Sequence, residues 1–264
     1  TIVGAVLLML YLVQWLAPAM QFDALLMKNA VFLFGHTLVN ITLYCGVALV
    51  YELLPGFSKR PWKTNAIVAL AWNASFVLVL FAFFHHLYMD FVQPVALQYL
   101  GQIASYLSAV PATVVTLFGG ITQIHRSGLK WDFVPLCLLL GLTGWIVGGL
   151  AAVVDSTVMV NFFFHNTQWV PAHFHTYFLV GFVLMLFAFT YHFVGAKMEK
   201  TAKLSLWTMI VGGYGFLLMF YWAGVESVPR RFADYTATGI DAIKAIGQAT
   251  AMIARLLSTT LQRS

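Results

Sequence analysis

Long apolar segments separated by short polar loops run through almost the whole chain. A helix needs roughly 20 apolar residues to cross a bilayer core about 30 Å thick. Seven segments approach that length and predict membrane-spanning helices: Ile2–Leu16, Ala30–Leu54, Ala66–Met89, Val95–Ile121, Phe133–Val154, Trp169–Phe193 and Leu204–Val225. Charged residues interrupt the segment 234–264, which predicts an eighth, weakly apolar helix or an amphipathic surface helix. We therefore predict an all-α fold, a polytopic transmembrane helix bundle that forms one domain over residues 1–264.

The composition and the distribution of charge agree with a membrane protein. Hydrophobic residues make up 61% of the chain and charged residues 9%, whereas about a quarter of a typical soluble domain is charged. The net charge of +5 does not indicate a nucleic-acid partner, because the basic residues lie in short loops after alternate spans. These loop residues are Lys59, Arg60, Lys63, Arg126, Lys130, Lys197, Lys200 and Lys203. The positive-inside rule predicts that these loops lie in the cytoplasm and that lipid surrounds the bundle.

The tripeptide His173-Phe174-His175 begins the sixth segment. Each residue turns a helix by roughly 100°, so the two imidazoles point about 200° apart and do not readily serve one metal together. They suit two large cofactors, one on each flank of the helix. Imidazole is a common ligand of iron and copper, and ionisable residues at membrane depth are usually functional. An interfacial or hydrogen-bonded role remains the simpler interpretation for the isolated His125 and His192.

Three more histidines share the outer depth of the bundle. His36 lies in the outer half of the second segment, and the adjacent His85 and His86 end the third. Copper favours imidazole ligands at about 2 Å, so these three residues predict a copper site. We expect a heme iron on His173 to face that copper, and a second heme on His175 to lie behind it.

Arg230 and Arg231 follow the seventh segment on the outer side, where the positive-inside rule disfavours basic residues. Guanidinium groups pair with carboxylates in bidentate geometry, so both arginines are candidates to bind anionic heme propionates. His165 lies at the same level and is a further candidate for cofactor binding. The alternative is an interfacial charge cluster with Glu226.

Four motifs in chain order resemble subunit I of the heme-copper oxidases, and most closely the B-type oxygen reductases. They are Phe34-Gly35-His36 through Leu54-Pro55, Phe84-His85-His86, His165 through His175, and Tyr221 through Arg231. The resemblance implies that His173 ligates a high-spin heme and His175 a low-spin heme. It assigns copper B to His36, His85 and His86.

The same resemblance implies a larger assembly. Subunit I of this family has about 12 helices, of which this chain is similar to the later part. The other low-spin heme ligand stands on an earlier helix, so we expect the N-terminal part of the same subunit as a partner; the absence of an initiator Met agrees with this. We also expect a second, electron-entry subunit carrying copper or cytochrome c. The implied location is the plasma membrane of a bacterium or archaeon, with the binuclear site near the outer side.

Asn40 departs from the family pattern. Oxygen reductases of this type carry a tyrosine one helical turn after the first copper histidine, and that tyrosine is cross-linked to a copper ligand. Tyr44 stands one turn beyond Asn40, roughly 12 Å along the helix from His36, which is too far to substitute directly. Asparagine forms hydrogen bonds but has no accessible redox state.

The electron count makes this departure informative about the substrate. Splitting O₂ in one step takes four electrons, of which the tyrosine is thought to supply the last, whereas converting two NO to N₂O takes two. The sequence therefore favours a nitric oxide reductase that retains copper B. No glutamate lies near His36, unlike in the better-known nitric oxide reductases with non-heme iron. One alternative is a cytochrome c or quinol oxidase that reduces O₂, with Tyr177 or Trp169 as the redox-active side chain; another is a non-catalytic heme-binding membrane subunit.

A polar proton track of the B-type oxidases is only partly represented. Tyr51 matches one member, whereas apolar residues replace expected hydroxyl groups at Ala48, Ala112, Val115 and Phe118. Thr113 and Thr116 are candidates to compensate. Asn161 stands where the family places a carboxylate near a heme propionate. These differences predict a slower or rerouted proton supply, with ordinary variation between helices as the alternative.

Overall fold

The computed structural model describes residues 2–90 and 93–230. Within them every regular element is helical, and the one β-bridge joins Thr167 to Pro229. The helices are α1 (Ile2–Leu16), α2 (Ala24–Ser58), α3 (Ala66–Ala82), α4 (Val95–Ile124), α5 (Phe133–Ser156), α6 (Val158–Phe164), α7 (Trp169–Phe193) and α8 (Glu199–Val225). A 3₁₀ turn, Phe83–His86, continues α3. The prediction of an all-α transmembrane bundle is confirmed.

Within the described residues, six helices are long and apolar enough to cross a membrane, and they correspond to the second through seventh predicted spans. The predicted first span is a helix with the expected bounds, but its 15 residues extend only about 22 Å, less than a bilayer core. Helix α2 is longer than predicted because Asp23 caps its start, accepting a hydrogen bond from the Leu26 amide at 2.6 Å. The predicted tail helix over 234–264 and Arg231 lie outside the described residues.

Small residues bring α5 and α7 into close contact. A Cβ added at Gly144 would lie 2.2 Å from the Val180 carbonyl oxygen, and one at Gly148 would lie 2.7 Å from the Tyr177 ring. Apolar surface gives little advantage to helix association in lipid, so close backbone packing of this kind contributes much of the affinity between spans. The contact places the backbone of α5 directly against the His-x-His turn of α7.

Helix α7 is not a uniform α-helix. Residues Phe178–Phe182 form a π-helical turn between Trp169–Tyr177 and Val183–Phe193. Such turns insert an extra residue and are frequent at functional sites. Here the π turn follows the histidine-bearing segment directly and includes Val180 and Gly181, which contact α5.

The basic loops gather at one end of the bundle. Arg60 donates a hydrogen bond to the Arg126 carbonyl at 2.7 Å, joining the first two loops. Glu199 accepts a hydrogen bond from the Phe133 amide at 2.6 Å and pairs with Lys203 at 3.0 Å. These contacts join the third basic loop to the second. All three loops therefore share one end, as the alternating charge pattern predicts.

Candidate functional site

Three histidines from two elements converge inside the bundle. Helix α2 supplies His36, and the 3₁₀ turn after α3 supplies His85 and His86. One potential ligand atom from each of the three lies within 4.8 Å of the others. His85 and His86 are buried, and His36 is half-buried. A small inward movement would bring three nitrogens to the distance that a first-row transition metal requires.

Hydrogen bonding orients the His85 ring for metal binding. Its Nδ1 lies 3.0 Å from the Ser105 Oγ, which in turn donates to the Gly101 carbonyl at 2.6 Å. The Nε2 of His85 is buried and has no hydrogen-bond partner among the residues described. A buried nitrogen without a partner is costly, and a metal ion would satisfy it.

His173 faces this triad from α7. Its ring centroid lies 6.5 Å from that of His85 and 6.4 Å from that of His86. The His173 Nδ1 lies 3.2 Å from the Gly148 carbonyl oxygen of α5, so Nδ1 carries the proton and Nε2 is left as the potential ligand. The close α5–α7 contact thus sets both the position and the tautomer of this imidazole.

His175 packs against a different element from His173. Its ring lies 5.8 Å from Phe216 and 6.0 Å from Phe220, both on α8. The His175 Nδ1 lies 2.7 Å from the Pro171 carbonyl oxygen, which again leaves Nε2 as the potential ligand. The two imidazoles of the tripeptide therefore pack against different aromatic neighbours, although both line the same cavity.

A cavity of about 480 Å³ lies between the triad and α7. Its size is within the range of sites for organic cofactors. The histidines that line it are His36, His85, His86, His173 and His175. The apolar wall includes Val39, Leu43, Trp145, Val170 and Phe174. The cavity combines space for a large apolar group with nitrogen ligands on two sides.

Arg230 lies at the cavity wall, held by the loop before α7. Its Nε and Nη2 donate to the Asn166 side-chain oxygen at 3.2 and 3.0 Å, and its amide donates to the Asn166 carbonyl at 2.7 Å. Asn166 adopts a φ of 59°, a left-handed conformation that asparagine tolerates better than most residues. The Gln168 amide donates to the Val228 carbonyl at 2.8 Å and closes the contact between the two loops. The described residues end at Arg230, so the predicted role of Arg231 lies outside them.

His165 lies next to an ion pair rather than at the cavity wall. Its Nε2 is 3.4 Å from Asp90, which also pairs with Lys28 at 2.7 Å. Burial lowers the pKa of His165, and the Asp90 carboxylate opposes that shift. A cofactor-binding role for His165 stays a prediction.

Asn40 lines the cavity beside His36. Its amide nitrogen donates to the His36 carbonyl at 2.8 Å and lies 3.4 Å from the His36 Nδ1. Tyr44 and Tyr177 line the same cavity, with the Tyr177 ring centroid 5.2 Å from that of His173. Tyr44 lines the cavity although it stands two helical turns from His36, because the cavity extends along α2; that Tyr44 is too far to substitute directly for the tyrosine stays a prediction. Trp169 is not part of the cavity wall and stacks on Phe164 at 4.2 Å.

A hydroxyl pair connects α2 and α4 on the inner side of the cavity. The Tyr51 hydroxyl lies 3.0 Å from the Thr116 Oγ1 and accepts a hydrogen bond from the Trp72 Nε1 at 3.1 Å. The ring of Tyr51 stacks on Trp62 with a centroid distance of 4.1 Å. Thr116 thus supplies a hydroxyl partner for Tyr51 despite the apolar residues around it.

Asp155 was not predicted as a site residue, although it directly follows the fifth apolar segment and is the one charged residue of α5. Its side chain is completely buried, and its Oδ2 lies 3.9 Å from the His86 Nδ1. Asn161 connects the two, since its amide donates to the Asp155 carbonyl at 2.6 Å and to the His85 carbonyl at 3.0 Å. A lone carboxylate in an apolar span was the available signal.

Comparison with known proteins decides the family. The family described as Cytochrome C and Quinol oxidase polypeptide I matches residues 1–256. This chain belongs to that family. The subunit I family therefore accounts for the ordered histidine motifs, and its members are oxidoreductases of the heme-copper superfamily.

Individual relatives agree with this family assignment. It is 30% identical over 235 residues to a probable cytochrome c oxidase subunit 1-alpha of Streptomyces coelicolor, covering 84% of this chain and 39% of that protein. It is 27% identical over 245 residues to cytochrome c oxidase subunit 1 of Corynebacterium diphtheriae, covering 90% and 42%. The chain thus spans about two-fifths of the length of these relatives.

A solved structure shares the fold. A heme-copper terminal oxidase dimer determined by cryo-EM matches with a TM-score of 0.76 at 18% identity, covering 90% of this chain and 48% of the other. At that identity the similarity demonstrates the helix arrangement alone. The six apolar spans and the family together identify a multi-pass membrane protein.

Proposed function

We propose that this chain carries the binuclear site of a membrane terminal reductase that converts two molecules of nitric oxide to nitrous oxide and water. The observation that carries the proposal is Asn40, which lines the cavity beside His36 and has no accessible redox state. The reaction is 2 NO + 2 e⁻ + 2 H⁺ → N₂O + H₂O, and it needs no electron from a side chain.

The donor set fits one copper ion and two hemes. His36, His85 and His86 would hold copper B, since their ligand atoms lie within 4.8 Å of one another and the His85 Nε2 has no hydrogen-bond partner in the described part of the chain. The backbone hydrogen bonds at Nδ1 leave the Nε2 of His173 for the high-spin heme and that of His175 for the low-spin heme. Arg230 at the cavity wall is suited to a propionate, as is Arg231 by sequence.

The bound metals would supply two electrons and hold the two substrate molecules. The apolar wall of Val39, Leu43 and Trp145 limits water beside them. The Tyr51–Thr116 hydroxyl pair can pass protons across an otherwise apolar layer. Asn40 can offer a hydrogen bond near the reacting groups, although its amide now bonds to the His36 carbonyl.

Reduction of O₂ to water is the second candidate, as in a cytochrome c or quinol oxidase. Tyr44 and Tyr177 both line the cavity, so a phenol is available as a source of one electron and one proton. The matched relatives are named cytochrome c oxidase subunits. Tyr177 has the better position, since its ring lies 5.2 Å from His173. A non-catalytic heme-binding subunit is the weakest candidate, because it gives no role to the triad.

The wider assignments follow from the same proposal. The protein would lie in the plasma membrane of a bacterium or archaeon, with its basic loops inside and the binuclear site near the outer side. It would work with lipid, with helices equivalent to the N-terminal part of subunit I, and with an electron-entry subunit that carries copper or cytochrome c.

Side-by-side turnover tests the substrate. The purified holoenzyme with its associated subunits would be supplied with NO or with O₂ and the same electron donor. We expect N₂O formation to be the faster reaction. Rapid oxygen consumption with negligible N₂O would exclude the leading proposal and support the second candidate.

A further inference from the structure

Asp155 occupies the last turn of α5, within an otherwise apolar span. Its side chain has no exposure to solvent. Burying an isolated carboxylate is energetically costly, so such residues in membrane helices usually have a specific partner. The proposed reaction gives Asp155 no role of its own.

The nearest imidazole to this carboxylate has an unsatisfied nitrogen. The Asp155 Oδ2 and the His86 Nδ1 lie 3.9 Å apart, and both are buried with no hydrogen-bond partner in the described part of the chain. By contrast, the Nδ1 of His85 meets the Ser105 hydroxyl, and that of His173 meets the Gly148 carbonyl. Among these three buried imidazoles, His86 alone lacks a partner at Nδ1 within the residues described.

Asn161 fixes the position of Asp155 relative to the turn that carries His86. Its side-chain amide donates to the Asp155 carbonyl at 2.6 Å, to the Asp155 Oδ1 at 3.5 Å and to the His85 carbonyl at 3.0 Å. These bonds join the end of α5 to the turn that carries both adjacent histidines. They also engage Oδ1, which leaves Oδ2 on the side of His86.

We propose that Asp155 is a positioning residue for His86. Its Oδ2 accepts a hydrogen bond from the His86 Nδ1–H, which fixes the tautomer that presents Nε2 to the metal. The present separation is about 1 Å longer than a hydrogen bond, and a small rotation of either side chain closes it. The inference rests on the copper site of the proposed function. Loss of such an outer carboxylate typically lowers metal affinity about 10–100-fold.

Two substitutions test the role. Asp155→Leu removes the acceptor while keeping the branching at Cγ, and Asp155→Asn keeps an uncharged acceptor at nearly the same volume. Ser156→Ala is the matched control, because Ser156 is equally buried and its hydroxyl donates to the Val153 carbonyl of its own helix at 3.2 Å. Copper affinity of the intact holoenzyme would be measured by competition with a copper chelator. The low-spin heme absorbance would report folding.

We expect Asp155→Leu to lower copper affinity about 10–100-fold, Asp155→Asn to lower it less, and Ser156→Ala to leave it unchanged. A second measurement is the infrared stretching frequency of carbon monoxide on the reduced copper. It should rise in Asp155→Leu, because a less basic His86 donates less electron density. A purely structural role would not shift this frequency in the folded Asp155→Asn protein.

Two results would contradict the inference. One is a folded Asp155→Leu protein with wild-type copper affinity. If the Asp155→Leu protein does not accumulate, the Asp155→Asn protein provides the second result. Unchanged copper affinity together with an unchanged carbon monoxide stretching frequency in that variant would contradict the inference. A wild-type protein that binds no copper would instead contradict the proposed function itself.

Discussion

At the scale of single residues, Asn40 distinguishes the two candidate reactions. Its amide donates to the His36 carbonyl one turn back in α2, at 2.8 Å, while the side chain faces the cavity. The sequence resemblance predicts a tyrosine at this position in oxygen reductases of the family, and asparagine supplies no phenol. Under the proposed function, this single side chain would separate a two-electron from a four-electron reduction.

Restoring a phenol at this position should change the preferred gas. We expect Asn40→Tyr to raise the ratio of O₂ to NO turnover by about tenfold, because a tenfold rate change needs only about 1.4 kcal/mol of barrier. Turnover with each gas in the same detergent and with the same donor measures the ratio. Asn40→Phe is the matched control, since it adds the ring without the hydroxyl. An equal ratio in the Tyr and Phe variants would show that the phenol is not the cause.

The two histidines of α7 should serve different hemes. We expect His173→Ala to abolish ligand binding at the high-spin heme while leaving a low-spin spectrum, and His175→Ala to do the reverse. Their rings pack against separate elements, which supports this separation. Optical spectra with and without carbon monoxide make the measurement. His192→Ala, at the exposed inner end of α7, is the control. Loss of the same heme signal in both the His173→Ala and the His175→Ala proteins would refute the assignment.

Some residues of the site could be predicted from the sequence and others could not. The histidines are rare polar residues in apolar spans, so their types and spacings alone single them out. The position of Tyr44 at the cavity wall could not be predicted from the sequence, because the direction in which the cavity extends depends on how α2 packs against its neighbours. Asp155 needed it as well, because its distance from His86 depends on the Asn161 hydrogen bonds between two elements.

At the scale of elements, the α5–α7 contact determines the position of His173. Gly144 lies so close to α7 that a Cβ would meet the Val180 carbonyl at 2.2 Å. One turn further along α5, the Gly148 carbonyl lies 3.2 Å from the His173 Nδ1. Separation of these helices would therefore move a backbone acceptor away from the imidazole that it orients.

A methyl group at Gly144 should disturb both stability and the site. We expect Gly144→Ala to cost about 1–3 kcal/mol by overpacking and to lower occupancy of the high-spin heme. Thermal unfolding in detergent and the heme-to-protein ratio measure the two effects. Gly56→Ala is the control, because a Cβ there meets nothing within 4 Å. Equal behaviour of the two variants would contradict the importance of this contact.

The spans were predictable from apolar length, but their ends were not. The six long helices agree with the predicted segments because only a continuous apolar run is stable across lipid. Helix α2 begins six residues before the predicted Ala30 and passes Pro55, since the Asp23 cap lies outside the apolar run. The 3₁₀ turn at Phe83–His86 and the π turn at Phe178–Phe182 left no mark in the hydrophobic pattern, because tertiary contacts determine them.

At the scale of the whole molecule, the two ends of the bundle differ in charge. One end carries the three basic loops that Arg60 and Glu199 connect. The other carries the Lys28–Asp90 pair and the loops around Arg230. This asymmetry predicts the orientation in the membrane, because basic loops are retained on the cytoplasmic side.

Labelling of single cysteines should reveal that orientation. We expect Lys200→Cys, an exposed position in the first turn of α8, to react with a membrane-impermeant maleimide only in inverted vesicles. Glu226→Cys, exposed at the opposite end, is the matched partner and should react in intact cells. Native Cys45 and Cys137 would first be replaced. The reverse pattern would place the binuclear site near the inner side.

The most direct test of the central claim is the ratio of electrons consumed to gas reduced. The holoenzyme would be supplied with isotopically labelled NO and a limiting amount of reduced donor, and labelled N₂O would be quantified by mass spectrometry. Our account predicts one N₂O for every two electrons, at a rate above that of O₂ reduction under the same conditions. Rapid four-electron consumption of O₂ with no labelled N₂O would contradict it.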